Sequence, residues 1–353
     1  MRAWTKLWRG VVGALVFALA LLAAPAFANP RIVAVGDLHG DHAAFVAILR
    51  AARLIDERGH WAGGDAVLVQ TGDVTDRGPD SLRIIRDLIR LQQEAPRAGG
   101  RVVALIGNHE AMNVTGDLRY VHPGEYASFA DRDSRRRRDR YYETNRVAIE
   151  RHYRARDARL TREQIEREFE RETPLGMIEH RAAWAPDGEI GRWIIANPAV
   201  ALIDGNLFAH GGISAAYALR YQGSSLDQLN RDVAAALRLR DEAGRAIVED
   251  PLGPLWYRGL IRRDADSEAA AAPAGNPAPP PEEELEIGLR AFGARRMIVG
   301  HTPNLAGIQF LFGGRLVAID TGIAAYYRGP RTWLEIVNGE ATAHVVTGGG
   351  AAQ

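Results

Sequence analysis

The chain has 353 residues, of which 46% are hydrophobic and 25% charged, so it is long enough for one large α/β domain with a sizeable core. It contains no cysteine, which excludes disulfides and any mechanism that uses a cysteine nucleophile. The 44 basic and 44 acidic side chains balance, and this argues against non-specific binding of nucleic acids.

The first 30 residues have the pattern of a secretory leader. Basic residues occupy positions 2, 6 and 9, an apolar run spans 11–24, and the small residues Ala26 and Ala28 flank Phe27 at the expected cleavage site. We predict that residues 1–28 are a signal peptide, that the mature chain begins at Asn29, and that the protein is periplasmic or secreted in a bacterium. The alternative is an uncleaved membrane anchor, which the short apolar run disfavours. We expect no stable membrane anchor after cleavage.

Three apolar runs, 31–36, 66–70 and 102–106, predict β-strands that each end in a polar cluster. The clusters read GDLHGD at 36–41, GDVTDRGP at 72–79 and GNHE at 107–110. Sites in open α/β sheets form outside the carboxyl ends of the strands, so we expect the clusters to converge on one crevice. Their carboxylate, imidazole and amide groups suit Mn, Fe, Zn or Mg rather than a thiolate-bound zinc.

Amphipathic helices are predicted after the first two clusters. Asp41 begins one of them, with Phe45 and Ile48 on its apolar face, and the other begins at Asp80 or Ser81. The N-terminus of the first helix points at the expected crevice, where the helix dipole favours an anion.

Residues 123–181 are rich in arginine and glutamate of alternating order, which predicts a solvated helical insertion. Our hypothesis is that this insertion is a cap beside the active site that helps to choose substrates. A nucleic-acid or acidic partner for the arginine run 135–138 is the less favoured interpretation, and we expect no nucleic-acid partner.

Two further histidines follow predicted strands in the second half of the chain. His210 follows a predicted hairpin formed by 199–203 and 207–209, and His301 follows the apolar run 297–300. Another helix is predicted between them, at 225–239.

The remaining segments complete the predicted fold. Residues 264–281 are rich in alanine and proline and predict a flexible loop. Four short runs towards the end predict strands, at 308–312, 316–319, 333–337 and 342–346. We expect these strands to form a second sheet packed on the first, with helices outside, in a single domain over 29–353.

The three clusters and the two later histidines, in this order from Asp37 to His301, resemble the calcineurin-like metallophosphoesterases, and within them the phosphoprotein phosphatases. The residues after GNHE, Ala111-Met112-Asn113 and GDLRYV at 116–121, resemble the Shewanella-like (bacterial-like) protein phosphatases. The resemblance implies an α/β fold with two packed mixed β-sheets flanked by helices, an αββα sandwich, and a metal-dependent phosphoric monoester hydrolase. Ala111 departs from the Ser/Thr enzymes, so phosphotyrosine is an expected substrate beside phosphoserine and phosphothreonine.

Hydrolysis of a phosphate ester is helped by a pair of metal ions, which neutralise its charge and make hydroxide available near neutral pH. We expect two divalent or trivalent ions, Mn, Fe or Zn, bridged by one carboxylate. The expected ligands are Asp37 and His39 for one ion, Asn108, His210 and His301 for the other, and Asp73 as the bridge. The ion that takes His301 is left open.

Other residues of the clusters are expected to act on the substrate. His109, one residue beyond Asn108, is the expected general acid, with Asp76 as the carboxylate that orients it or raises its pKa. Arg77 offers a planar fork of donors for the phosphoryl oxygens, and Asn108 is also assigned to substrate binding. The resemblance implies a phosphoryl-binding arginine near Arg258, although a Trp-Tyr-Arg run equally suits surface packing.

Two acidic residues have less specific expectations. Glu110 is expected to hold a neighbouring ligand or backbone, and Asp320 either reaches the site or only turns the chain.

We therefore predict a dinuclear metal-dependent phosphomonoesterase, a protein phosphatase in which metal-bound hydroxide attacks phosphorus. Its substrate would be a phosphorylated protein or a small phosphoester. Two alternatives stay open. One is hydrolysis of nucleotide or dinucleotide polyphosphates by the same fold, and the other is a non-catalytic metal-binding module. The presence of His109, Asp76 and Arg77 disfavours the second, because metal binding alone does not require them.

Overall fold

Two five-stranded mixed β-sheets form the framework of the computed structural model, which describes residues 30–239, 241–263 and 279–347. In chain order the strands are β1 (Ile32–Val35), β2 (Val67–Gln70), β3 (Arg101–Ala104), β4 (Val200–Ile203), β5 (Asn206–Ala209), β6 (Arg296–Val299), β7 (Gln309–Leu311), β8 (Leu316–Ala318), β9 (Thr332–Val337) and β10 (Glu340–Val345). The first sheet has the order β10-β9-β1-β2-β3, and the second has the order β4-β5-β6-β8-β7.

Each sheet contains three adjacent parallel strands. In the first sheet, Val33 of β1 pairs with Leu68 of β2, and Leu68 pairs with Val102 of β3. In the second sheet β5, β6 and β8 run parallel, and the outer strands β4 and β7 are antiparallel to their neighbours. In the first sheet β9 is antiparallel to both β1 and β10. The carboxyl ends of three strands therefore lie together in each sheet, where sites in such sheets form.

The strand residues alternate between two apolar layers. Ile32 of β1, Phe208 of β5 and Ile298 of β6 belong to the cluster buried between the sheets. Their neighbours, such as Val33 and Leu207, point to the opposite faces and pack in the cluster that includes the helices. This alternation is what a strand buried on both faces requires, and the predicted αββα sandwich is confirmed.

Helices cover the outer faces of both sheets. The helices of the described residues are α1 (His42–Ala51), α2 (Ser81–Glu94), α3 (Asn108–Thr115), α4 (Pro123–Phe129), α5 (Ser134–Arg156), α6 (Arg162–Glu172), α7 (Met177–Trp184), α8 (Glu189–Ala196), α9 (Ala215–Tyr221), α10 (Leu226–Leu239), α11 (Glu242–Val248) and α12 (Pro281–Phe292). Asp41 caps α1, as its position predicted, by accepting a hydrogen bond from the Ala44 amide at 2.8 Å.

Helices α5 and α6 form a hairpin with a small core of its own. Tyr142 and Tyr153 of α5 pack with Ile165 and Phe169 of α6 in a cluster separate from the two layers of the sandwich. Arg138 of α5 also donates a 2.7 Å hydrogen bond to the carboxylate of Glu170. The charged composition of the predicted insertion is thus the exposed surface of helices.

Three details of the secondary structure differ from the prediction. The last hairpin joins the first sheet, because β9 pairs antiparallel with β1 and places Glu335 opposite Val33. The predicted loop 264–281 lies outside the described residues from 264 to 278, and its last residue, Pro281, already begins α12, where proline suits a first turn. Helices α3, α8, α9, α11 and α12 were not predicted.

The predicted signal peptide, residues 1–28, lies outside the described residues. Among the residues that are described, no helix has the length and apolar character needed to cross a membrane.

Candidate active site

The loops after the parallel strands bring polar side chains together between the two sheets. Asp37 and His39 follow β1, Asp73 follows β2, His210 follows β5 and His301 follows β6. All five are buried, with at most 4% of the residue surface exposed. Asn108 and His109 are also buried and form the first turn of α3, which begins directly after the loop that follows β3.

Asp73 lies at the centre of this cluster. Its Oδ2 atom is 3.3 Å from His210 Nε2, 3.7 Å from His39 Nε2 and 3.9 Å from His109 Nε2. Its Oδ1 atom accepts a 3.0 Å hydrogen bond from the His109 amide, at the positive end of α3. The potential ligand atoms fall into two groups that share Asp73, one with His39 and His109 and one with His210 and His301.

Backbone carbonyl groups orient three of the histidines. The pairs are His39 Nδ1 with Thr75 O at 2.9 Å, His210 Nδ1 with Thr71 O at 2.9 Å, and His301 Nε2 with Trp256 O at 3.1 Å. The ring nitrogen that meets a carbonyl must carry the proton, so the other nitrogen of each neutral ring presents a lone pair to the centre of the site. Histidines that bind metals are commonly held in this way.

The donor set fits metal ions. His210 Nε2 lies 3.1 Å from His301 Nδ1 and 2.9 Å from Asn108 Oδ1. Both ring nitrogens carry lone pairs here, because the proton of each ring is on its other nitrogen, so three acceptor atoms face one another without a hydrogen between them. A cation removes the repulsion among them. Burial lowers the pKa of His39 to about 3 and that of His301 well below its usual value, which keeps both rings in the neutral form that binds metals.

Asp320, which sequence reasoning left open, reaches the site. It is buried beside Asp37, and its Oδ1 atom accepts a hydrogen bond from the Gly322 amide at 2.9 Å. Burial together with the charges of Asp320 and Asp73 raises the pKa of Asp37 well above its usual value. Three buried carboxylates in one site are a further reason to expect bound metal cations, which would compensate their negative charge.

The ring of His109 is oriented by a hydrogen bond to a carboxylate, and a second hydrogen bond orients that carboxylate. Its Nδ1 atom lies 2.6 Å from Asp76 Oδ2, and Asp76 Oδ1 accepts a 3.0 Å hydrogen bond from Asn113 Nδ2. The same Asn113 amide donates to the His109 carbonyl at 3.0 Å. Burial lowers the pKa of His109, but the charges of Asp73 and Asp76 outweigh this effect and leave the pKa above its usual value.

Two arginines lie at the site. Arg258 donates from Nη2 to the His301 carbonyl at 3.2 Å, and burial lowers its pKa while the charges of Asp73 and Asp37 oppose that change. Arg258 is therefore directed into the site and does not pack on the surface. The guanidinium of Arg77 lies over tyrosine rings, and within the described part of the chain its Nε atom has no hydrogen-bond partner.

The Glu110 carboxylate joins two of the loops. It accepts hydrogen bonds from the amides of Gly107 and Asp73 at 2.8 Å, of Val74 at 2.9 Å and of Thr75 at 3.2 Å. Glu110 therefore holds the backbone of a ligand loop, the role expected of it. The loops also approach so closely that a Cβ atom at Gly107 would clash with the Asp73 carboxylate.

Several of these residues have strained backbones. The φ angle is positive at His39, Asp73, Asp76, Arg77 and His301, a region that side chains other than glycine rarely enter. Each such residue costs about 1–3 kcal/mol and persists only where the surrounding structure requires it. Such strain is typical of functional sites, which agrees with the position of these residues around Asp73.

Sequence reasoning missed some residues that this geometry brings in. Asn113 lies four residues after His109 on the same face of α3, so helical spacing could have indicated its contact with Asp76. Tyr120, Tyr326 and Tyr327 surround Arg77, and no signal in the sequence connects Tyr120 to the distant pair Tyr326 and Tyr327.

The chain matches the calcineurin-like phosphoesterase family over residues 30–305. It is 32% identical over 302 residues to the Shewanella-like protein phosphatase 2 of Arabidopsis thaliana, covering 83% of this chain and 71% of that protein. It is 31% identical over 318 residues to an uncharacterised protein of Schizosaccharomyces pombe, covering 87% and 77% of the two chains. A shorter match, 33% identical over 101 residues, covers 28% of this chain and 30% of the symmetrical bis(5'-nucleosyl)-tetraphosphatase of Burkholderia pseudomallei.

Solved structures agree with these relatives. The crystal structure of a cold-active protein-tyrosine phosphatase from a psychrophilic Shewanella species superposes with a TM-score of 0.62 and 25% identity, covering 90% of this chain and 81% of that chain. The order of the motifs, the two ligand groups on Asp73 and the likeness to these proteins all agree. The chain therefore belongs to the calcineurin-like phosphoesterases, and within them to the Shewanella-like protein phosphatases, dinuclear metal-dependent enzymes that hydrolyse phosphoesters.

Proposed function

We propose that the protein removes the phosphoryl group from phosphorylated proteins, with phosphotyrosine among its substrates. The observation that carries this proposal is the arrangement around Asp73, whose carboxylate is shared by two ligand groups and lies 3.9 Å from the ring of His109. The likeness to a protein-tyrosine phosphatase over 90% of the chain supports the choice of substrate.

Two metal ions would be held by the buried donors. Asp73 would bridge them, and the remaining ligands would be Asp37 and His39 on one side and Asn108, His210 and His301 on the other. We propose Mn, Fe or Zn, since imidazole and carboxylate donors suit these metals. When bound, the pair supplies a nucleophile near neutral pH and neutralises charge on the phosphoryl group.

His109 would donate the proton that the leaving oxygen needs. Asp76 occupies the Nδ1 side of the ring, so a proton on Nε2 faces the centre of the site. The raised pKa of His109 favours the protonated ring that a general acid requires. After transfer, the neutral ring keeps a proton on Nδ1 and donates it in a hydrogen bond to Asp76. Solvent can then protonate Nε2 again.

Arg77 and Arg258 would hold the phosphoryl oxygens. Arg77 Nε has no partner among the described residues, and Arg258 lies within the field of Asp73 and Asp37. Guanidinium groups bind the oxygens of a phosphoryl group through paired hydrogen bonds, which fixes the orientation of the phosphorus.

We further propose that the protein is exported. The pattern of residues 1–28 supports a cleaved leader and a periplasmic or secreted location. N-terminal sequencing of the protein recovered from a periplasmic fraction is expected to begin at Asn29, and recovery of a chain that begins at Met1 in the membrane fraction would contradict the proposal.

The deciding experiment compares three substrates with the Mn-loaded mature protein. We expect hydrolysis of a phosphotyrosine peptide above that of a phosphoserine peptide and of a dinucleotide tetraphosphate. A His109→Asn variant should lose roughly 100-fold or more in kcat, in the range of general acid catalysis, while keeping its metal content. Preference for the polyphosphate would favour the alternative function, hydrolysis of dinucleotide polyphosphates. The support for that alternative is the match over 28% of the chain.

A further inference from the structure

Three tyrosines surround the guanidinium of Arg77 at the entrance to the site. The Arg77 Cζ atom lies 4.7 Å from the ring centre of Tyr120, 5.0 Å from that of Tyr326 and 5.4 Å from that of Tyr327. Tyr120 comes from the loop between α3 and α4, and the other two come from the loop between β8 and β9. Two distant loops thus place aromatic rings around one cation.

The same rings extend from the buried histidines to the surface. Tyr120 packs against His109 with ring centres 5.1 Å apart, and Tyr327 packs against His39 at 5.6 Å. At the outer end Tyr120 is 38% exposed and Tyr326 is 62% exposed. The tyrosines therefore line the way from solvent to the histidines that flank Asp73.

Apolar atoms continue this wall beside Tyr327. A Cβ atom on Gly322 would clash with both Leu305 and Tyr327, which shows that the two side chains lie against the same stretch of backbone. Leu305 is exposed. Exposed apolar side chains grouped around a functional cleft, rather than scattered singly, indicate a surface that binds a ligand.

We propose that Tyr120, Tyr326 and Tyr327 form an aryl-binding rim that selects phosphate esters of phenols, phosphotyrosine in a protein above all, over esters of aliphatic alcohols. This inference rests on the proposed phosphatase function. The phosphoryl group on Arg77 would bring the ring of a phosphotyrosine between these tyrosines, where aromatic pairs gain energy beyond the area that they bury. A phosphoserine side chain has no ring to place there.

The competing explanation is that the tyrosines only hold Arg77 in place through cation–π contacts. The two explanations differ in what the loss of a ring does. If the ring only positions Arg77, its removal weakens every phosphate ester equally. If the ring contacts the substrate, its removal weakens aryl esters selectively.

The test uses one peptide sequence that carries either phosphotyrosine or phosphoserine. In Tyr326→Ala we expect the ratio of kcat/KM for phosphotyrosine to that for phosphoserine to fall by roughly three- to tenfold, the range of one aromatic contact. Tyr326→Phe keeps the ring and should keep the ratio. Phe310→Ala on β7 is the matched control, because Phe310 is an exposed aromatic residue that belongs neither to the rim nor to the α5–α6 hairpin. An equal fall for both peptides in Tyr326→Ala would overturn the aryl-binding rim.

A binding measurement separates failure of this inference from failure of the proposed function. Phenylphosphonate and methylphosphonate are not hydrolysed, and calorimetry of the metal-loaded protein should show tighter binding of the phenyl compound by roughly three- to tenfold. Tyr326→Ala should abolish that difference. Equal binding of both compounds to the unmodified protein would overturn the rim even in an active phosphatase, whereas selective binding without turnover of any phosphopeptide would support the rim and contradict the proposed function.

Discussion

The two carboxylate oxygens of Asp76 have different partners. One carboxylate oxygen meets the ring of His109 at 2.6 Å, and the other accepts from the side chain of Asn113 at 3.0 Å. Because Asn113 also bonds the His109 carbonyl, a single turn of α3 fixes both the ring and its carboxylate. Orientation of the proposed general acid thus depends on Asn113, whose side-chain amide donates to Asp76 and to the His109 carbonyl.

An Asn113→Ala change should lower kcat by about 10-fold, the smaller end of what partners of catalytic groups contribute. The reason is that one oxygen of Asp76 loses its donor and the pair with His109 becomes less well oriented. Metal content should be unchanged, since Asn113 donates to Asp76 and to the His109 carbonyl. Steady-state kinetics with a small aryl phosphate and metal analysis of the same samples would check this. Loss of metal together with activity would show instead that Asn113 supports the ligand loops.

At the scale of elements, α4 is joined to the N-terminus of α2 by a buried acid. Glu125 Oε2 accepts from the Ser81 amide at 3.1 Å, and within the described residues its Oε1 atom has no partner. Burial raises the pKa of Glu125 from an ordinary value of 4.5 to about 8. The folded protein therefore holds a proton here that the unfolded chain releases.

This difference makes stability depend on pH. Between about pH 4.5 and 8 the folded state binds more protons than the unfolded state, so the contribution of Glu125 to the free energy of unfolding falls as pH rises. Glutamine cannot ionise, so Glu125→Gln removes this destabilisation at high pH. The variant should have a free energy of unfolding higher by a few kcal/mol at pH 8.5, with little change at pH 4.5. Urea unfolding at both pH values would measure it, with the exposed Glu283→Gln as the matched control. A gain of the same size at both pH values would contradict the titration of Glu125.

The α5–α6 hairpin is an element with its own core, so it should open without the sandwich. Phe169→Ala should destabilise the hairpin by about 3–5 kcal/mol, the cost of removing a buried ring. Amide exchange is expected to speed up within 134–172 and to stay slow in the strands. Phe310→Ala, at an exposed position of β7, is the matched control.

The same variant tests the hypothesis that residues 123–181 help to choose substrates. Activity on a small aryl phosphate should be retained, while preference among phosphopeptides should change. Unchanged peptide preference in a protein whose hairpin exchanges rapidly would contradict a role for this hairpin in substrate choice.

At the scale of the whole molecule, the site exists only where the two sheets meet. The His301 amide, after β6 of the second sheet, donates to both oxygens of Asp37, after β1 of the first, at 3.2 Å. Asp73 of the first sheet likewise lies 3.3 Å from His210 of the second. Ions bound here would therefore link the two halves of the sandwich.

Removal of metal should lower the melting temperature. A ligand that binds only the folded state stabilises it by about 4 kcal/mol at a concentration a thousandfold above its Kd. We expect a chelator to lower the Tm and added Mn to restore it, as measured by calorimetry. In His210→Ala, which loses a proposed ligand, the Tm should respond less to either treatment. If neither the chelator nor added Mn changed the Tm of the unmodified protein, a metal pair between the sheets would be contradicted.

Much of the site could be predicted because its side chains lie in short motifs at strand ends. GDLHGD, GDVTDRGP and GNHE each join a buried strand to a turn, so residue type and position along the chain already bring Asp37, Asp73 and Asn108 to one edge. The same local reasoning placed α1 and α2, since caps and apolar periodicity depend on neighbouring residues.

The sequence by itself therefore determined the family, the sandwich of two sheets and the set of expected ligands. Only the tertiary structure decided that β9 and β10 join the first sheet, that Asp320 lies beside Asp37, and that Tyr120 and Tyr326 each contact the guanidinium of Arg77. These outcomes depend on hydrogen bonds and packing between segments that are far apart in the chain. No local pattern encodes such pairings, because each is chosen by how the two sheets and their loops pack as a whole.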